Sequence, residues 1–351
     1  MIQKFLCLDG GGIRGYLTAC ILEKIQYKLP NPLNKDLTKE NSLVDYFDVI
    51  TGTSTGSILA AAISSNRSIS EIKKLYEQEG HEFFPHNDVK LGNKFGVKEL
   101  MRGKVKHSNL GLEKVLKRQF MNADGSLIKM KDLTKQTLIQ SYDNTLKKGI
   151  VFDSTNTDES IANLELWQVV KSSCSAPGYF EPHQLEYAGV SSEMIDGGVF
   201  ANNPTLVGIA KSLFQDKVIH CMSVGTSEKD MQREGMGRFK TSSGLWSWGM
   251  DVFGNTMSRM PHHAAQFLMW LFANKKSSYL RFQIITEKFM EIDDASPEAF
   301  KKMAQIADEY VTNFKINQKL YKQHKIHGFL YSQNMRMLKR WDSSLIKSVI
   351  R

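Results

Sequence analysis

Two short glycine-rich segments constrain this chain of 351 residues more than anything else in it: Asp9-Gly10-Gly11-Gly12-Ile13-Arg14-Gly15 and Gly52-Thr53-Ser54-Thr55-Gly56. Each follows an apolar, strand-like run, Lys4-Phe5-Leu6-Cys7-Leu8 before the first and Tyr46-Phe47-Asp48-Val49-Ile50 before the second. Ser57-Ile58-Leu59-Ala60-Ala61-Ala62-Ile63, a good helix former, comes directly after the second. Strand, tight turn and helix in that order are the context of a nucleophile elbow, where flanking glycines let the backbone turn sharply and hold a serine hydroxyl proud of the sheet. A serine at the first turn of that helix lies near its positive dipole end, which favours an alkoxide and the oxyanion beside it. The same spacing also serves a plain small-residue turn that packs helix on strand, so the elbow needs corroboration.

The first segment supplies some. Three successive glycines, Gly10, Gly11 and Gly12, free backbone N–H groups to converge on an anion. Arg14 adds a fixed positive charge at the same corner, either supporting the loop electrostatically or making a salt bridge across the turn. Gly10, Gly12 and Gly15 also satisfy the dinucleotide-binding fingerprint. That reading needs a second strand ending in an acidic residue about twenty residues further on. The chain offers Pro30-Asn31-Pro32-Leu33-Asn34-Lys35-Asp36 instead, which is loop chemistry.

A third segment, Met194-Ile195-Asp196-Gly197-Gly198-Val199-Phe200-Ala201-Asn202-Asn203-Pro204, decides between them. With it the chain resembles the patatin-like phospholipases. That family has a D-G-G-G-x-R-G oxyanion loop at its first strand, and pairs a G-x-S-x-G serine with the aspartate of a D-G-G or D-G-A motif. All three stand here in family order. Ser175-Ala176-Pro177-Gly178-Tyr179-Phe180-Glu181-Pro182 is similar to the family's S-A-P-x-x-F-x-P segment, and Ile292-Asp293-Asp294-Ala295-Ser296-Pro297 to its late D-D-A-S segment. The resemblance spans residues from about 4 to about 314.

The resemblance implies a dyad: Ser54 as nucleophile, Asp196 as direct general base, and Gly10, Gly11 and Gly12 as oxyanion donors with Arg14 in support. A carboxylate within hydrogen-bond reach of a serine hydroxyl can take its proton during attack, and partial desolvation makes it a better base. No metal or organic cofactor is implied. His183 is the one histidine placed to extend the dyad to a triad, while His262, His263, His324 and His327 lack metal-ligand spacing.

A hydrophobic content of 41% over this length can bury a large core. No repeat or low-complexity stretch divides the chain, which predicts a catalytic core over 1–226 and a completion of the same domain over 227–351. Strands are expected at 4–8, 46–50, 136–142, 150–153 and 218–224, with helices at 16–28, 57–65, 69–80, 112–119, 164–172 and 205–214. The alternation predicts an α/β fold, a three-layer sandwich with a largely parallel central sheet and an added helical C-terminal region. Cys7, Cys20, Cys174 and Cys221 sit in apolar context without C-x-x-C pairing and read as reduced core residues. Residues 1–8 are too short for a cleavable signal, and the longest apolar segment, 264–273, falls short of the roughly 20 residues of a spanning helix. A cytoplasmic protein working peripherally at the inner membrane surface is expected.

Beyond about residue 226 the chain becomes rich in tryptophan and methionine, including Trp246, Trp248, Met250, Phe253, Met257, Met260, Phe267, Met269 and Trp270. These suit an adaptable lid or acyl channel, and equally a plain helical core layer. Residues 315–351 carry nine basic residues against one acid, Asp342, a net of +8 of the chain's +9. Leu338, Trp341, Leu345 and Val349 fit one face of a helix bearing Lys339, Arg340 and Lys347. That face packs on the main domain or lies on anionic lipid, the former preferred. No nucleic-acid motif accompanies the charge.

The expected function is therefore hydrolysis of carboxylic esters of phospholipids or lysophospholipids. Some bacterial relatives await a cyclic nucleotide before degrading membrane in antiphage defence, which makes such an activator a hypothesis here, although no nucleotide-binding motif is readable. The competing reading is a membrane-associated effector on the same fold whose catalysis is dispensable.

Overall fold

The apolar run at the N-terminus forms β1 (Ile2–Leu8), and its two faces feed two different cores. In the computed structural model, which describes residues 2–26, 42–84, 105–213, 215, 217–229, 264–265, 267–268, 276–286 and 290–312, β1 is central. It lies between β2 (Val49–Thr53) and β7 (Val218–Val224), both parallel to it. β3 (Gln136–Asp143) continues the parallel array beyond β2, and β9 (Ser278–Phe282) beyond β7. Three antiparallel strands complete the sheet on the β3 side: β4 (Lys148–Asp153), β5 (His183–Tyr187) and β6 (Val190–Asp196). The strand order is β5-β6-β3-β2-β1-β7-β9, with β4 also paired to β3. β8 (Glu228–Lys229) and β10 (Ile285–Thr286) form a separate parallel pair.

Strand side chains alternate between faces, so Leu6 and Leu8 enter one core and Phe5 and Cys7 the other. The larger core is covered by α1 (Gly15–Gln26), α2 (Ser42–Tyr46), α3 (Thr55–Ser64), α4 (Ile69–Phe83), α5 (Asn109–Gln119), α7 (Leu166–Cys174) and α10 (Pro297–Thr312). The smaller core takes Ile209 and Leu213 from α9 (Thr205–Leu213). Short α6 (Glu159–Ala162) and α8 (Gly198–Ala201) join these elements. The result is a three-layer α/β sandwich around a largely parallel sheet, as expected. α10 lies along α1, with Phe300 edge-on to Tyr16 at a ring separation of 4.9 Å.

Two local expectations change. The run 46–50 is not one strand: Tyr46 ends α2, Phe47 is buried behind it, and the strand runs from Val49 through Gly52 to Thr53. The shift arises because Asp48 pairs with Lys4 through both main chain and side chain, so the sheet begins only after it. The β5–β6 hairpin, absent from the sequence reading, turns at Ala188 and Gly189, both at positive φ (49° and 73°). The four cysteines are free and buried, as expected. Among the described residues no helix is long and apolar enough to cross a membrane. The segments 230–263 and 269–275, which hold the tryptophans and methionines of the expected lid or acyl channel, and the basic stretch 313–351 lie outside the described residues.

Two leucine truncations separate core from surface. Leu17, fully buried in α1, is expected to lose about 2–5 kcal/mol on replacement by alanine. Leu110→Ala, at a side chain 73% exposed, is expected to stay within about 0.5 kcal/mol. Chemical denaturation of the two variants checks both values.

Candidate active site

The elbow between β2 and α3 is built around two missing side chains. A Cβ at Gly52 would stand 2.0 Å from the Gly56 carbonyl, and one at Gly56 would stand 2.1 Å from that of Leu8. Between them Ser54 adopts φ 53° and ψ −126°, a strained conformation worth roughly 1–3 kcal/mol that the surrounding structure must impose. It does so with hydrogen bonds. The Ser54 N–H donates to Ser173 Oγ at 2.9 Å, and Ser173 Oγ donates to the Gln140 carbonyl at 2.6 Å. The Ser54 carbonyl accepts from Ser57 N at 2.8 Å and Ser57 Oγ at 2.6 Å. Next to it, Thr55 Oγ1 and the Tyr76 hydroxyl of α4 are 2.5 Å apart.

Asp196 reaches this serine through strand pairing. β4 occupies one edge of β3, so β2 and β6 must share the other: Thr53 stands opposite Gln140, and Asp196 opposite Ser141. β2 runs parallel to β3 and β6 runs against it. Their C-terminal ends therefore meet head-on at adjacent positions. Ser54 Oγ donates to Asp196 Oδ2 at 2.6 Å, and the Gly198 N–H donates to Oδ1 at 2.6 Å. Gly197 has to be glycine, since a Cβ there would lie 2.2 Å from the Gln140 carbonyl. Burial is the main influence on Asp196 and raises its pKa to about 6, opposed by the bonds from Ser54 and Gly198.

The glycine loop lies directly beside the serine. A Cβ on Gly10 would be 3.1 Å from Ser54 Cβ and 2.3 Å from Asn202 Oδ1. The Gly10 N–H donates to the Asn202 carbonyl at 3.0 Å, whereas the Gly11 and Gly12 amides make no such bond among the described residues. Gly12 is at φ +60° beneath the Ile292 carbonyl, which would be 2.1 Å from a Cβ at that position and accepts from Ile13 N at 2.7 Å. The D-D-A-S segment thus clamps the loop. Asp293 next to Ile292 accepts from Lys106 and from His107 Nε2, the latter at 3.0 Å.

Two buried arginines flank the loop. Arg14 donates from Nε to the Gly11 carbonyl at 3.2 Å and from Nη1 to the Ser227 carbonyl at 3.4 Å. Burial pushes its pKa down to about 10. Arg281 of β9 makes a two-pronged pair with Asp9, Nη1 to Oδ1 at 2.8 Å and Nη2 to Oδ2 at 2.5 Å. Burial raises the Asp9 pKa while Arg281 opposes the rise. The Asp9 amide is bonded to the Val224 carbonyl at 3.1 Å, so this pair fixes the end of β1 from which the loop departs.

Ser54, Asp196 and the loop Gly10, Gly11, Gly12 and Arg14 are thus brought together. His183 is not part of that cluster: it opposes Met194, its ring lies 5.8 Å from that of Trp167, and no hydrogen bond ties it to the dyad among the described residues. Burial, then Lys171, lowers its pKa to about 4. No group of His, Cys, Asp or Glu among the described residues is arranged to hold a metal ion. Sequence reasoning missed Ser173, Asn202, Tyr76 and Arg281. Asn202 lies within a motif already singled out, but Arg281 is 272 residues from its partner and carries no local signal.

A three-layer α/β fold with a serine on a strand–helix elbow, bonded directly to a strand-end aspartate, is the architecture of a serine hydrolase. The patatin-like phospholipase family model matches residues 6–209, and the chain belongs to that family of lipid acyl hydrolases. The cGAMP-activated phospholipase of Escherichia coli (strain TW11681) is 25% identical over 276 residues, covering 74% of this chain and 73% of that protein. Patatin-17 of Solanum cardiophyllum is 27% identical over 336 residues, with 86% and 82% covered. Probable inactive patatin-like protein 9 of Arabidopsis thaliana is 26% identical over 220 residues, with 60% and 54% covered.

Arg281→Met leaves Asp9 as an unpaired buried carboxyl and is expected to destabilise the protein by about 3–5 kcal/mol. Adding Asp9→Asn to that variant is expected to restore part of the loss. Thermal unfolding of the single and double variants reads the difference, and equal stabilities would refute the pairing's importance.

Proposed function

We propose that this chain hydrolyses carboxylic ester bonds of phospholipids or lysophospholipids through Ser54 and Asp196. The observation that carries the reading is the 2.6 Å bond from Ser54 Oγ to Asp196 Oδ2 where two strand ends meet. As Ser54 Oγ attacks the ester carbonyl carbon, its proton passes to Asp196 Oδ2 and the carbonyl oxygen becomes an oxyanion. The Gly11 and Gly12 amides are the donors for that oxyanion. Gly10, whose own amide is held by Asn202, serves by letting the loop approach Ser54 without a side chain. Each such donor is worth roughly 3–4 kcal/mol of barrier. Collapse of the intermediate expels the lipid alcohol, which takes the proton from Asp196 and leaves an acyl-Ser54. Water then attacks the acyl group and gives a proton to the same carboxylate. The second collapse returns that proton to Ser54 Oγ and releases the fatty acid.

This reading puts the protein at a cytoplasmic membrane surface, where the substrate resides. The relative named as a cGAMP-activated phospholipase supports extending it to control by a cyclic nucleotide and to a defence role. The relative named as inactive supports the rival, a membrane effector with dispensable catalysis. A serine-reactive fluorophosphonate, with mass spectrometry of lipid products in the presence and absence of cyclic nucleotides, separates them. Ser54→Ala is expected to abolish the adduct, and Asp196→Asn to slow ester turnover by about 10²–10⁴-fold. Equal hydrolysis by Ser54→Ala would sink the dyad.

Asp196 accepts a proton only when ionised, so kcat/KM for a soluble ester is expected to fall as pH drops through about 6. The stability consequence has the opposite sense. A carboxyl whose pKa is raised by folding binds its proton more tightly in the folded state, so ionisation costs stability as pH rises from about 4 past about 6. A rise from 3.8 to about 6 corresponds to roughly 3 kcal/mol. Asp196→Asn is therefore expected to unfold at a higher temperature than the parent at pH 8, with the gap closing below about pH 4. Melting curves at both pH values check the sign.

A further inference from the structure

The turn joining β3 to β4 is unusual in how much polar structure is committed to holding an exposed apolar tip. Asp143, fully buried at the end of β3, accepts from the Thr145 and Leu146 amides with Oδ1 at 2.8 Å each. Its Oδ2 accepts from the Tyr187 hydroxyl at 2.6 Å. Thr145 Oγ1 accepts from the Glu193 amide at 2.9 Å, and the Asn144 amide donates to the Glu193 carbonyl at 2.8 Å, so the turn is also sewn to β6. Lys147 completes the turn at φ 54°. What this framework presents is Leu146, 44% exposed, followed by the exposed Lys147 and Lys148.

A second apolar group stands beside it. Phe200 is 41% exposed, and its ring lies so close over Gly149 that a Cβ there would be 2.6 Å away. Gly149 pairs with Tyr142, one residue beyond Ser141, which pairs with Asp196. The patch therefore starts next to the dyad, and strand rise puts Leu146 about 10–15 Å further out at the same end of the sheet. Two acids lie close by: Asp143, inside the turn, and the exposed Glu193, whose Oε2 accepts from Asn144 Nδ2 at 3.3 Å, while Lys147 Nζ donates to Asn144 Oδ1 at 2.9 Å.

We propose that the β3–β4 turn, with Leu146, Lys147 and Lys148, and the adjoining Phe200 form the surface by which this protein docks on an anionic phospholipid bilayer and faces its dyad toward it. An apolar tip that enters the headgroup boundary, followed by two lysines that meet lipid phosphate, is the combination that interfacial binding uses. A rigid tip gives up little conformational freedom on docking. The inference rests on the lipid-ester reading for the choice of partner, and binding is measured without turnover so that the two can fail separately.

The full-length chain carrying Ser54→Ala is sedimented with vesicles of phosphatidylcholine, with and without phosphatidylglycerol. Binding is expected with phosphatidylglycerol and weaker without it, and Leu146→Asp with Lys148→Glu is expected to reduce it by at least about tenfold. With Ser54 intact, the same pair is expected to leave the melting temperature and soluble-ester hydrolysis unchanged. Leu110→Asp, at an exposed leucine of α5, serves as the control and is expected to bind normally. Unchanged vesicle binding by the Leu146/Lys148 variant, or no binding by the parent, overturns the proposal. So does a dimer in solution that Leu146→Asp dissociates, because the surface then belongs to a second copy of the chain. Loss of hydrolysis in an otherwise vesicle-binding protein would count against the dyad alone.

Discussion

Two strand ends meeting on one edge of β3 is the constraint on which the site depends. β2 and β6 occupy successive stretches of that edge from opposite directions, so each must leave the sheet where the other arrives. β2 leaves by the strained turn at Ser54 into α3, and β6 leaves at Gly197 into α8. The proposed nucleophile and base are the residues at which the two strands turn away. Their meeting therefore follows from register, and register is specified by burial: a one-residue slip of β6 would bring Met194, now fully buried, to the exposed side. Ser173 ties the junction together, since its hydroxyl joins the Ser54 amide to the carbonyl of Gln140 in β3.

The strain and desolvation concentrated at this junction require a rigid surround. The sheet beneath it is buried on both faces, and among the described residues the larger core alone draws on seven helices. The glycine loop is held from three directions: Asn202 on the Gly10 amide, Thr226 Oγ1 on the Gly10 carbonyl at 3.0 Å, and Ile292 over Gly12. Two of these contacts come from segments more than 200 residues away in sequence. A loop of consecutive glycines has large conformational entropy to lose, so its shape has to be imposed by such long-range contacts.

What the sequence made legible follows the range of the interactions involved. β1, β7 and α3 are specified by short apolar runs and helix propensity, and they were read close to their observed limits. Ser54 and Asp196 were readable because the turns that carry them need glycine, which leaves a signature in the chain. Tyr46 and Phe47 misled because an apolar pair looks the same whether it ends a helix or starts a strand, and the deciding contact, Asp48 to Lys4, joins distant segments. The β5–β6 hairpin does show alternating burial, but its turn lacks the usual Asn-Gly or Asp-Gly and places Ala188 at positive φ. Arg281 and Ser173 were invisible for a simpler reason: each acts on a residue more than 100 positions away.

Asp9 and Asp196 show how one chain gives two buried carboxyls different partners. Asp9 ends β1 and receives a guanidinium, whose charge favours the ionised form and whose fork fixes its orientation. Asp196 ends β6 and, among the described residues, receives only neutral donors, a hydroxyl and an amide. A cation in place of either would make Asp196 a weaker base for the proposed step, because it would draw the carboxyl back toward its ordinary pKa. Anchoring and reactivity thus call for different partners. The distribution found here, with arginine at the strand end that needs only to be fixed and neutral donors at the one proposed to take a proton, fits the Ser54–Asp196 reading.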